Sequence, residues 1–408
     1  MRSSAAKLGL LASLYLAQGL PYGFFTQALP AMLRQEGVSL EGIGLSSLLA
    51  LPWGLKFLWA PLVDRTGSRR FGRRRAWILP IQALTIVVLL GLATVDPRAG
   101  LQPVLVGVLL INLLAATQDI ATDGLAVSLL SHGERGLGNG VQVAGYRMGM
   151  ILGGGALLIV FDALGWPLIF AIMAAMVLVT TLPIGAYREP ADEPEPARSR
   201  PTLTLLREFL RRPGMPLWLG VIAAFKAGEH FATGMLRPFF VDRGLDLKQI
   251  GLLTGTAGFI AALCGAMAGG ALIGRIGRYR ALFLFGVLQA IAVSAYALAT
   301  LGPLDIPLLY GLCMVEHFVG GMATASLFTL MMDACGRGME GSEYTFQASV
   351  VVLATGATSA LAGYSASRLG YTWHFLISGI ACVVTLLPLL AHVIREGQGR
   401  SKVMPWTG

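Results

Sequence analysis

Long apolar runs separated by short polar breaks fill the whole chain. Runs of about 20 residues match the roughly 30 Å of hydrocarbon that a transmembrane helix crosses. The pattern predicts twelve such helices, called spans 1 to 12, at about 8–33, 40–63, 76–95, 101–130, 137–161, 166–187, 215–241, 247–273, 280–301, 305–334, 342–367 and 372–394. The breaks are too short for a separate folded domain, so the sequence predicts an all-α polytopic membrane protein.

Composition excludes an ordinary soluble protein. Of the 408 residues, 55% are hydrophobic and 13% are charged, whereas soluble domains have about 25% charged residues. The first apolar run is too long for the core of a signal peptide and is predicted to be span 1. The cysteines are dispersed, lack any CxxC spacing and are interpreted as buried small apolar residues. Neither a metal nor a cofactor is predicted.

The formal net charge of +9 is concentrated in a few polar breaks. Between spans 2 and 3 lie six arginines: Arg65, Arg69, Arg70, Arg73, Arg74 and Arg75. Short loops rich in Lys and Arg stay on the cytoplasmic side of a membrane. Because the number of spans is even, both termini are predicted to be cytoplasmic. No soluble surface with interleaved aromatic residues indicates nucleic-acid binding.

One charged, Pro-rich segment, 188–214, divides the chain and ends in a short amphipathic stretch expected to lie on the membrane. The predicted organisation is an N-terminal six-helix bundle (1–187), this cytoplasmic linker, and a C-terminal six-helix bundle with a short tail (215–408). Two motifs recur at nearly constant spacing, Gly37–Gly44 as Gly244–Gly251 and Asp64–Arg70 as Gly274–Arg280. Parallel repeats of this kind resemble the plan of major facilitator transporters, which bind substrate between two pseudo-symmetric bundles.

Ionisable side chains within the spans are the strongest functional signal, because each costs about 2.5–3.5 kcal/mol in hydrocarbon. They are Lys56 in span 2; Asp119 and Asp123 in span 4; Arg147 in span 5; Lys226, Glu229, His230 and Arg237 in span 7; and Glu316 and His317 in span 10. In a major facilitator fold, spans 1, 4, 7 and 10 line the central cavity. Most of these side chains are therefore expected at that cavity.

Asp119 and Asp123 lie four residues apart, so both carboxylates face the same side of span 4. Two carboxylates this close in a low dielectric disfavour double ionisation, and one can carry a proton near neutral pH. Proton coupling requires such a group. The alternative interpretation is a structural ion pair between one of these aspartates and Arg147 on the next span.

In span 7, the spacing of Lys226, Glu229 and His230 puts all three on one helix face. Lys226 can neutralise Glu229 in a resting ion pair that a proton or substrate breaks. His230 is interpreted either as a substrate donor or relay, or as a histidine hydrogen-bonded at a helix interface. In span 10, Glu316 and His317 are the counterparts of the Gln118–Asp119 pair, and Glu316 is the stronger candidate.

Span 1 contains Pro21 beside glycines and is expected to bend next to the cavity, with Gln27 further along. Lys56 either holds an anionic substrate group or pairs with an aspartate. Small residues at helix spacing in spans 5 and 8 are typical of close helix packing; they are Gly149, Gly153, Gly265 and Gly269.

The most specific motifs are Lys56–Arg65, Phe71–Arg75, Gln118–Gly124, Glu134–Gly136 and Gly145–Met150. They resemble the AmpG-type permeases of the major facilitator superfamily. Phe225–Glu229, and Glu316 followed by Gly320–Met322, are similar to the same family. The resemblance covers nearly the whole chain. This sequence departs from the muropeptide permeases at Glu229, where they have Asp. The chain after span 12 is also shorter than theirs, and in this respect the sequence is similar to the siderophore-permease branch.

This resemblance implies proton-driven import of anhydromuropeptides across the bacterial inner membrane; relatives carry siderophores or acetyl-CoA. It implies a monomer whose partners are small-molecule substrate, protons and lipid. The placement of ionisable and polar residues within the spans predicts Asp119, Asp123, Glu229 and Glu316 as proton-coupling residues. The predicted substrate-binding residues are Lys56, Gln27, Lys226, His230, His317 and Tyr146. A cytoplasmic latch at 64–75 is implied for the superfamily motif, with gating residues Asp64, Arg65, Arg73 and Arg147.

Two rival functions remain. Proton-driven export of amphipathic compounds is the alternative within transport. A membrane-embedded enzyme is the alternative class, but an aspartyl protease needs its two aspartates on different helices, and no HxxxxD acyltransferase pattern is present. An ATP-driven pump is excluded because no Gly-Lys pair for a phosphate-binding loop occurs in the chain. The sequence predicts a secondary transporter rather than an enzyme.

Overall fold

The computed structural model describes residues 3–29, 47–68, 71–96, 101–157, 160–189, 202–245, 247–302, 305–336, 339–387 and 389. Within these ranges the chain is helical and contains no β-strand. The α-helices are α1 (Ser4–Gly23), α2 (Leu51–Leu55), α3 (Ala60–Arg65), α4 (Arg75–Ala93), α5 (Gln102–Leu129), α6 (Arg135–Met150), α7 (Phe161–Ala186), α8 (Thr202–Leu210), α9 (Met215–Thr233), α10 (Leu236–Asp242), α11 (Leu247–Ile250), α12 (Gly258–Ile276), α13 (Arg278–Ala295), α14 (Ile306–Asp333) and α15 (Glu340–Val384). The repeat at Gly37–Gly44 and most of the linker lie outside the described residues.

Seven helical segments of the described chain are long and apolar enough to cross a membrane, and a bent pair within α15 adds an eighth. The seven correspond to spans 1, 3, 4, 6, 8, 9 and 10. Spans 2, 5 and 7 are built from shorter or more polar helices. Span 2 is divided into short helices because a proline lies near the start of each of α2 and α3, and proline does not continue a preceding helix.

Glycines with positive φ break two of the longer helices. Gly370, at φ 76° and ψ 164°, interrupts α15 between predicted spans 11 and 12. Gly165, at φ 72° and ψ 170°, interrupts the first turn of α7. An L-residue rarely adopts such a conformation, so these positions favour glycine. The turn expected between spans 11 and 12 is confirmed.

The structure contains two compact units. Unit 1 comprises Met1–Ser131, Ala144–Ser199 and Arg337–Thr345. Its centre is formed by α1, α4, α5 and α7, with Leu20, Phe24, Leu89 and Phe170 in one apolar cluster. A second cluster, around Leu14 and Ile120, lies nearer the N-terminal end of α1 and the C-terminal end of α5.

Unit 2 comprises His132–Val143, Arg200–Gly336 and Phe346–Gly408. Its helices α12, α13 and α14 pack together, and its core is rich in aromatic rings, including Phe239, Phe240 and Phe375. Each unit therefore contains one short segment from the other half of the sequence: unit 1 takes the start of α15, and unit 2 takes the start of α6.

The small residues at helix spacing pack as predicted in both units. A Cβ added at Gly153 would collide with the carbonyl oxygen of Leu20 in unit 1. A Cβ added at Gly265 would collide with the carbonyl oxygen of Phe318 in unit 2. Only glycine permits these backbones to approach so closely.

Candidate functional site

Three side chains of the broken span 2 attach it to α5 in unit 1. The backbone at Lys56–Leu58 is a 3₁₀-helix, whose three residues per turn put every third side chain on one face. Trp53 donates its indole N–H to Asn112 Oδ1 at 3.0 Å, and Trp59 donates to Thr117 Oγ1 at 3.1 Å. Lys56 lies between the two tryptophans in this row and therefore also faces α5.

Lys56 forms an ion pair with Asp119. Lys56 is 4% exposed and Asp119 is 7% exposed, so neither charge has water as its main partner. Of the two interpretations of Lys56, pairing with an aspartate is the one that the structure contains. A buried charge needs a partner of opposite sign, because the cost of leaving one unpaired in a low dielectric is several kcal/mol.

Asp123 lies one turn further along α5 and accepts a hydrogen bond from the Tyr15 hydroxyl at 2.7 Å. Tyr15 and Asp123 are both buried. Tyr15 was not predicted as a site residue, because an aromatic residue in an apolar run carries no signal of a polar contact. Arg147 is half-buried on α6, and its pairing with Asp123 stays a prediction.

Three aromatic rings from different helical segments of unit 1 meet beside the Lys56–Asp119 pair. The Tyr22 ring centroid lies 5.5 Å from that of Trp53 and 5.7 Å from that of Tyr146. Trp53 and Tyr146 are 6.3 Å apart, and the Lys56 ammonium lies 5.5 Å from the Trp53 ring centre. Tyr146 was predicted to contact substrate. Gln27 belongs to the π-helical turn Phe24–Ala28, and its side chain lies outside the described residues.

In unit 2, Lys226 and Glu229 form an ion pair within α9, as their spacing predicted. A Cβ added at Gly320 of α14 would lie 3.1 Å from Glu229 Oε1 and 3.7 Å from Glu316 Oε1. The carboxylates of Glu229 and Glu316 therefore lie beside the same glycine. Without a side chain, Gly320 leaves the space that both occupy.

The two candidate histidines of unit 2 are held within their own helices. His317 Nδ1 lies 2.6 Å from Glu316 Oε2 and 3.0 Å from the Cys313 carbonyl oxygen. His230 Nδ1 lies 3.1 Å from the Lys226 carbonyl oxygen. This contact lies within α9 and not at a helix interface, so both interpretations of His230 stay predictions. Arg237 is exposed on α10.

A second cluster of charges in unit 1 is centred on Arg74, just before α4. Asp64 at the end of α3 pairs with Arg74, and both are fully buried. Asp64 Oδ2 also accepts hydrogen bonds from the Ser342 backbone N–H and hydroxyl, each at 2.5 Å. Glu340 at the start of α15 lies 3.2 Å from Arg74 and 3.4 Å from Arg73.

This cluster contains two of the predicted gating residues, Asp64 and Arg73. The buried arginine at its centre is Arg74, which the sequence analysis listed only among six basic residues. Glu189 accepts hydrogen bonds from the backbone N–H groups of Arg74 and Arg75 at the start of α4, where a carboxylate stabilises a helix N-terminus. Arg65 is half-buried as the last residue of α3.

Unit 2 has its own charge cluster, which the sequence analysis missed. Asp333 ends α14 and pairs with Arg278 at the start of α13. Arg135, from the start of α6, donates to Asp333 Oδ1 at 2.8 Å, and His132 Nδ1 lies 3.3 Å from the same oxygen. The signal available in the sequence was the position of Arg278 in the motif that repeats Asp64–Arg70.

The described residues contain no group of three or more His, Cys, Asp or Glu side chains arranged to hold a metal ion.

Comparisons with known proteins identify relatives over almost the whole chain. The model of the Major Facilitator Superfamily matches residues 11–355 and 242–403. The anhydromuropeptide permease of Escherichia coli K12 is 30% identical over 385 residues, which cover 93% of this chain and 78% of the permease. A putative transporter AmpG 4 from Rickettsia felis is 23% identical, with 92% and 94% covered. The AmpG resemblance found in the motifs is confirmed.

Solved structures share the fold. The Escherichia coli fucose:proton symporter FucP has a TM-score of 0.73 at 15% identity, with 98% of this chain and 100% of that chain covered. The human organic anion transporter MFSD10 has a TM-score of 0.70 at 17% identity, with 95% and 100% covered. The prediction of a twelve-helix major facilitator fold is confirmed. The superfamily match and the permease relative show that the chain is a multi-pass membrane transporter and not an enzyme.

Proposed function

Because this chain belongs to the Major Facilitator Superfamily, we propose that it imports a bulky polar solute with protons across the bacterial inner membrane. The proposed solute is an anhydromuropeptide, the cargo named for the E. coli relative. In this proposal the six-helix bundles 1–187 and 215–408 alternate in access around the substrate. The linker 188–214 and both termini are cytoplasmic, and the working unit is a monomer.

The observation that carries this proposal is a buried lysine–carboxylate pair in each unit, Lys56–Asp119 and Lys226–Glu229. Ionisable groups inside a membrane are costly and mark substrate or proton pathways. A proton that binds Asp119 neutralises its charge and releases the Lys56 ammonium. The freed ammonium then binds an anionic group of the solute, so that proton and substrate enter together.

Unit 2 supports the same logic with two carboxylates. Glu229 and Glu316 lie beside Gly320, and like charges this close disfavour double ionisation. A proton that binds Glu229 neutralises the carboxylate that pairs with Lys226 and so weakens that ion pair. The proposed proton carriers are Asp119, Asp123, Glu229 and Glu316. The proposed substrate contacts are Lys56, Gln27, Lys226, His230, His317 and Tyr146.

The proposed gate is the cytoplasmic cluster of Asp64, Arg65 and Arg73, with Arg147 on α6. Its support is the set of contacts that Asp64 and Arg73 make to the start of α15 in unit 1. That segment comes from the second half of the sequence. A change in these contacts therefore couples the ends of spans 2 and 3 to the start of span 11.

The test is uptake into proteoliposomes with an imposed inward proton gradient. The substrates are a radiolabelled anhydromuropeptide and a panel of ferric siderophores. The proposal expects anhydromuropeptide uptake that depends on the gradient, stops with a protonophore and is abolished by Glu229→Gln. Glu208→Gln is the matched control, because it removes a carboxylate from the exposed cytoplasmic face of α8 and is expected to leave uptake unchanged.

Other outcomes identify the rival functions. If only a ferric siderophore is taken up, the proposed proton-driven import is retained, and the proposed substrate changes from an anhydromuropeptide to a siderophore. If neither class enters while the gradient is intact, import is wrong, and an export assay in inverted vesicles tests the alternative of amphipathic compounds. Gradient-dependent uptake that survives Glu229→Gln at full rate removes Glu229 from the proton pathway.

A further inference from the structure

We propose that Tyr22, Trp53 and Tyr146 form a carbohydrate subsite, which receives the apolar face of a pyranose ring next to the Lys56 ammonium. The inference rests on the proposed function, because it assigns where the sugar portion of the anhydromuropeptide binds. It concerns unit 1 alone.

The three rings form one aromatic surface contributed by three predicted spans. Tyr22 lies near the end of α1, Trp53 in α2 and Tyr146 in α6, and their centroids are 5.5 to 6.3 Å apart. Each ring is only partly buried. Tyr22 and Tyr146 each meet Trp53 nearly edge to face, at interplanar angles of 71° and 82°, and the two tyrosine rings are tilted by 47° to each other. The three rings therefore lie at angles to one another and offer ring faces in more than one direction.

Hydrogen bonds fix Trp53 within this surface. Its indole N–H donates to Asn112 Oδ1 at 3.0 Å, and the Asn112 amide in turn donates to the Val108 carbonyl oxygen at 3.1 Å. Asn112 is 3% exposed, so its side chain is held from both ends. A rigid ring loses little conformational entropy when a ligand stacks on it.

The chemistry of the surface matches a sugar that carries an anionic substituent. The C–H groups on one face of a pyranose ring are weakly positive and are attracted to the negative face of an aromatic ring. The hydroxyls of Tyr22 and Tyr146 form no hydrogen bond with another described residue, which leaves them for sugar hydroxyls. The Lys56 ammonium, 5.5 Å from the Trp53 ring centre, disfavours a cationic ligand and favours a carboxylate.

Unit 2 has more aromatic rings, but the rings at the centre of its cluster are fully buried. Phe239, Phe240, Tyr296 and Phe375 are each at most 1% exposed and belong to its hydrophobic core. Their role is packing. The rings around Trp53 differ from this core cluster in two ways. They are partly exposed, and they lie beside the Lys56–Asp119 ion pair.

The test compares Trp53→Leu with Trp373→Leu, whose ring is 63% exposed, in the proton-driven uptake assay. Labelled anhydromuropeptide is the substrate, and its peptide-free disaccharide and its free peptide are competitors. Loss of a stacking ring worth about 1.4 kcal/mol raises KM about tenfold. We expect that increase for Trp53→Leu, with disaccharide competition lost and peptide competition kept. Trp373→Leu is expected to behave as wild type.

The retained peptide competition also shows that Trp53→Leu is folded. If that variant does not fold, Tyr22→Phe and Tyr146→Phe replace it, because they keep the rings and remove only the hydroxyls. Each is expected to raise KM and to weaken disaccharide competition about threefold. The subsite is wrong if wild type takes up the anhydromuropeptide while the folded ring or hydroxyl variants keep wild-type disaccharide competition. Absence of uptake by wild type overturns the proposed function itself, and the subsite with it.

Discussion

The two units hold their membrane-buried lysines in different ways. In unit 1, Lys56 and Asp119 come from different spans, and their contact joins the broken span 2 to α5. In unit 2, Lys226 and Glu229 lie three residues apart in one helix. Separation of the first pair removes one of three side-chain contacts between two elements, whereas separation of the second leaves α9 intact. The pair of unit 1 therefore connects two elements, whereas the pair of unit 2 lies within one helix and can exchange partners at less cost.

The charge clusters around Arg74 in unit 1 and Asp333 in unit 2 also differ in how deeply they are buried. Arg74 and Asp64 of unit 1 have fully buried side chains. In unit 2, Asp333 has a 5% exposed side chain, and Arg278 and Arg135 are 17% and 18% exposed. Each cluster also includes one residue from the segment that comes from the other half of the sequence. In unit 1 this residue is the acidic Glu340, and in unit 2 it is the basic Arg135. Burial makes the first cluster more dependent on each partner.

Replacement of Arg74 by Gln is expected to have the largest effect on stability. It leaves the Asp64 carboxylate buried without its guanidinium, and breaking a buried pair in this way costs about 3–5 kcal/mol. The free energy of unfolding, measured by steric trapping in bilayer discs, should fall by that amount.

The matched variant in unit 2 is Arg278→Gln. Asp333 keeps Arg135 and His132 as neighbours, and the partly exposed arginine site admits water. The expected loss is about 1 kcal/mol. Equal losses at Arg74 and Arg278 would contradict the difference between the two clusters.

Asp119→Asn is expected to have the next largest effect. It leaves the Lys56 ammonium buried without its carboxylate, at a cost of about 3 kcal/mol, and it removes a proposed proton carrier. Proton-driven uptake should be lost. The double variant Lys56→Gln with Asp119→Asn should regain most of the stability, because no unpaired charge remains, but not the uptake.

The exposed Asp96 provides the control for Asp119. Asp96→Asn makes the same chemical change outside the buried site and should alter neither stability nor uptake. Recovery of uptake in the Lys56–Asp119 double variant would show that the pair is purely structural, and the proposed proton role of Asp119 would then be wrong.

Sequence reasoning predicted the parts of this molecule whose signal is local. The period of apolar runs predicted the helical membrane fold, and the i, i+3 spacing of Lys226 and Glu229 predicted their ion pair. The superfamily motif indicated Asp64 and Arg73. The small residues at helix spacing predicted close packing, which Gly153 and Gly265 show.

Contacts between distant segments were harder to predict. In the structure, Trp53, Lys56 and Trp59 lie in one row because Lys56–Leu58 forms a 3₁₀ turn, which has three residues per turn. The apolar pattern of span 2 predicted an ordinary α-helix there, in which these side chains would not align. Tyr15 and Arg74 obtained their roles from partners 108 and 266 residues away, Asp123 and Glu340. A single sequence contains no measure of such pairings, because side-chain partners are set by tertiary packing.

A smaller loss of stability than that of Asp119→Asn is expected for Lys226→Gln in unit 2. Without Lys226, the Glu229 and Glu316 carboxylates lie near each other with less compensating positive charge, and one of them takes up a proton rather than remain charged. Protonation limits the cost to about 1–2 kcal/mol. Infrared spectroscopy should detect a protonated-carboxyl band that the Lys226→Gln, Glu229→Gln double variant lacks. A loss of stability as large as that of Asp119→Asn, without this band, would mean that unit 2 depends on its lysine as unit 1 does, and the contrast between the units would fail.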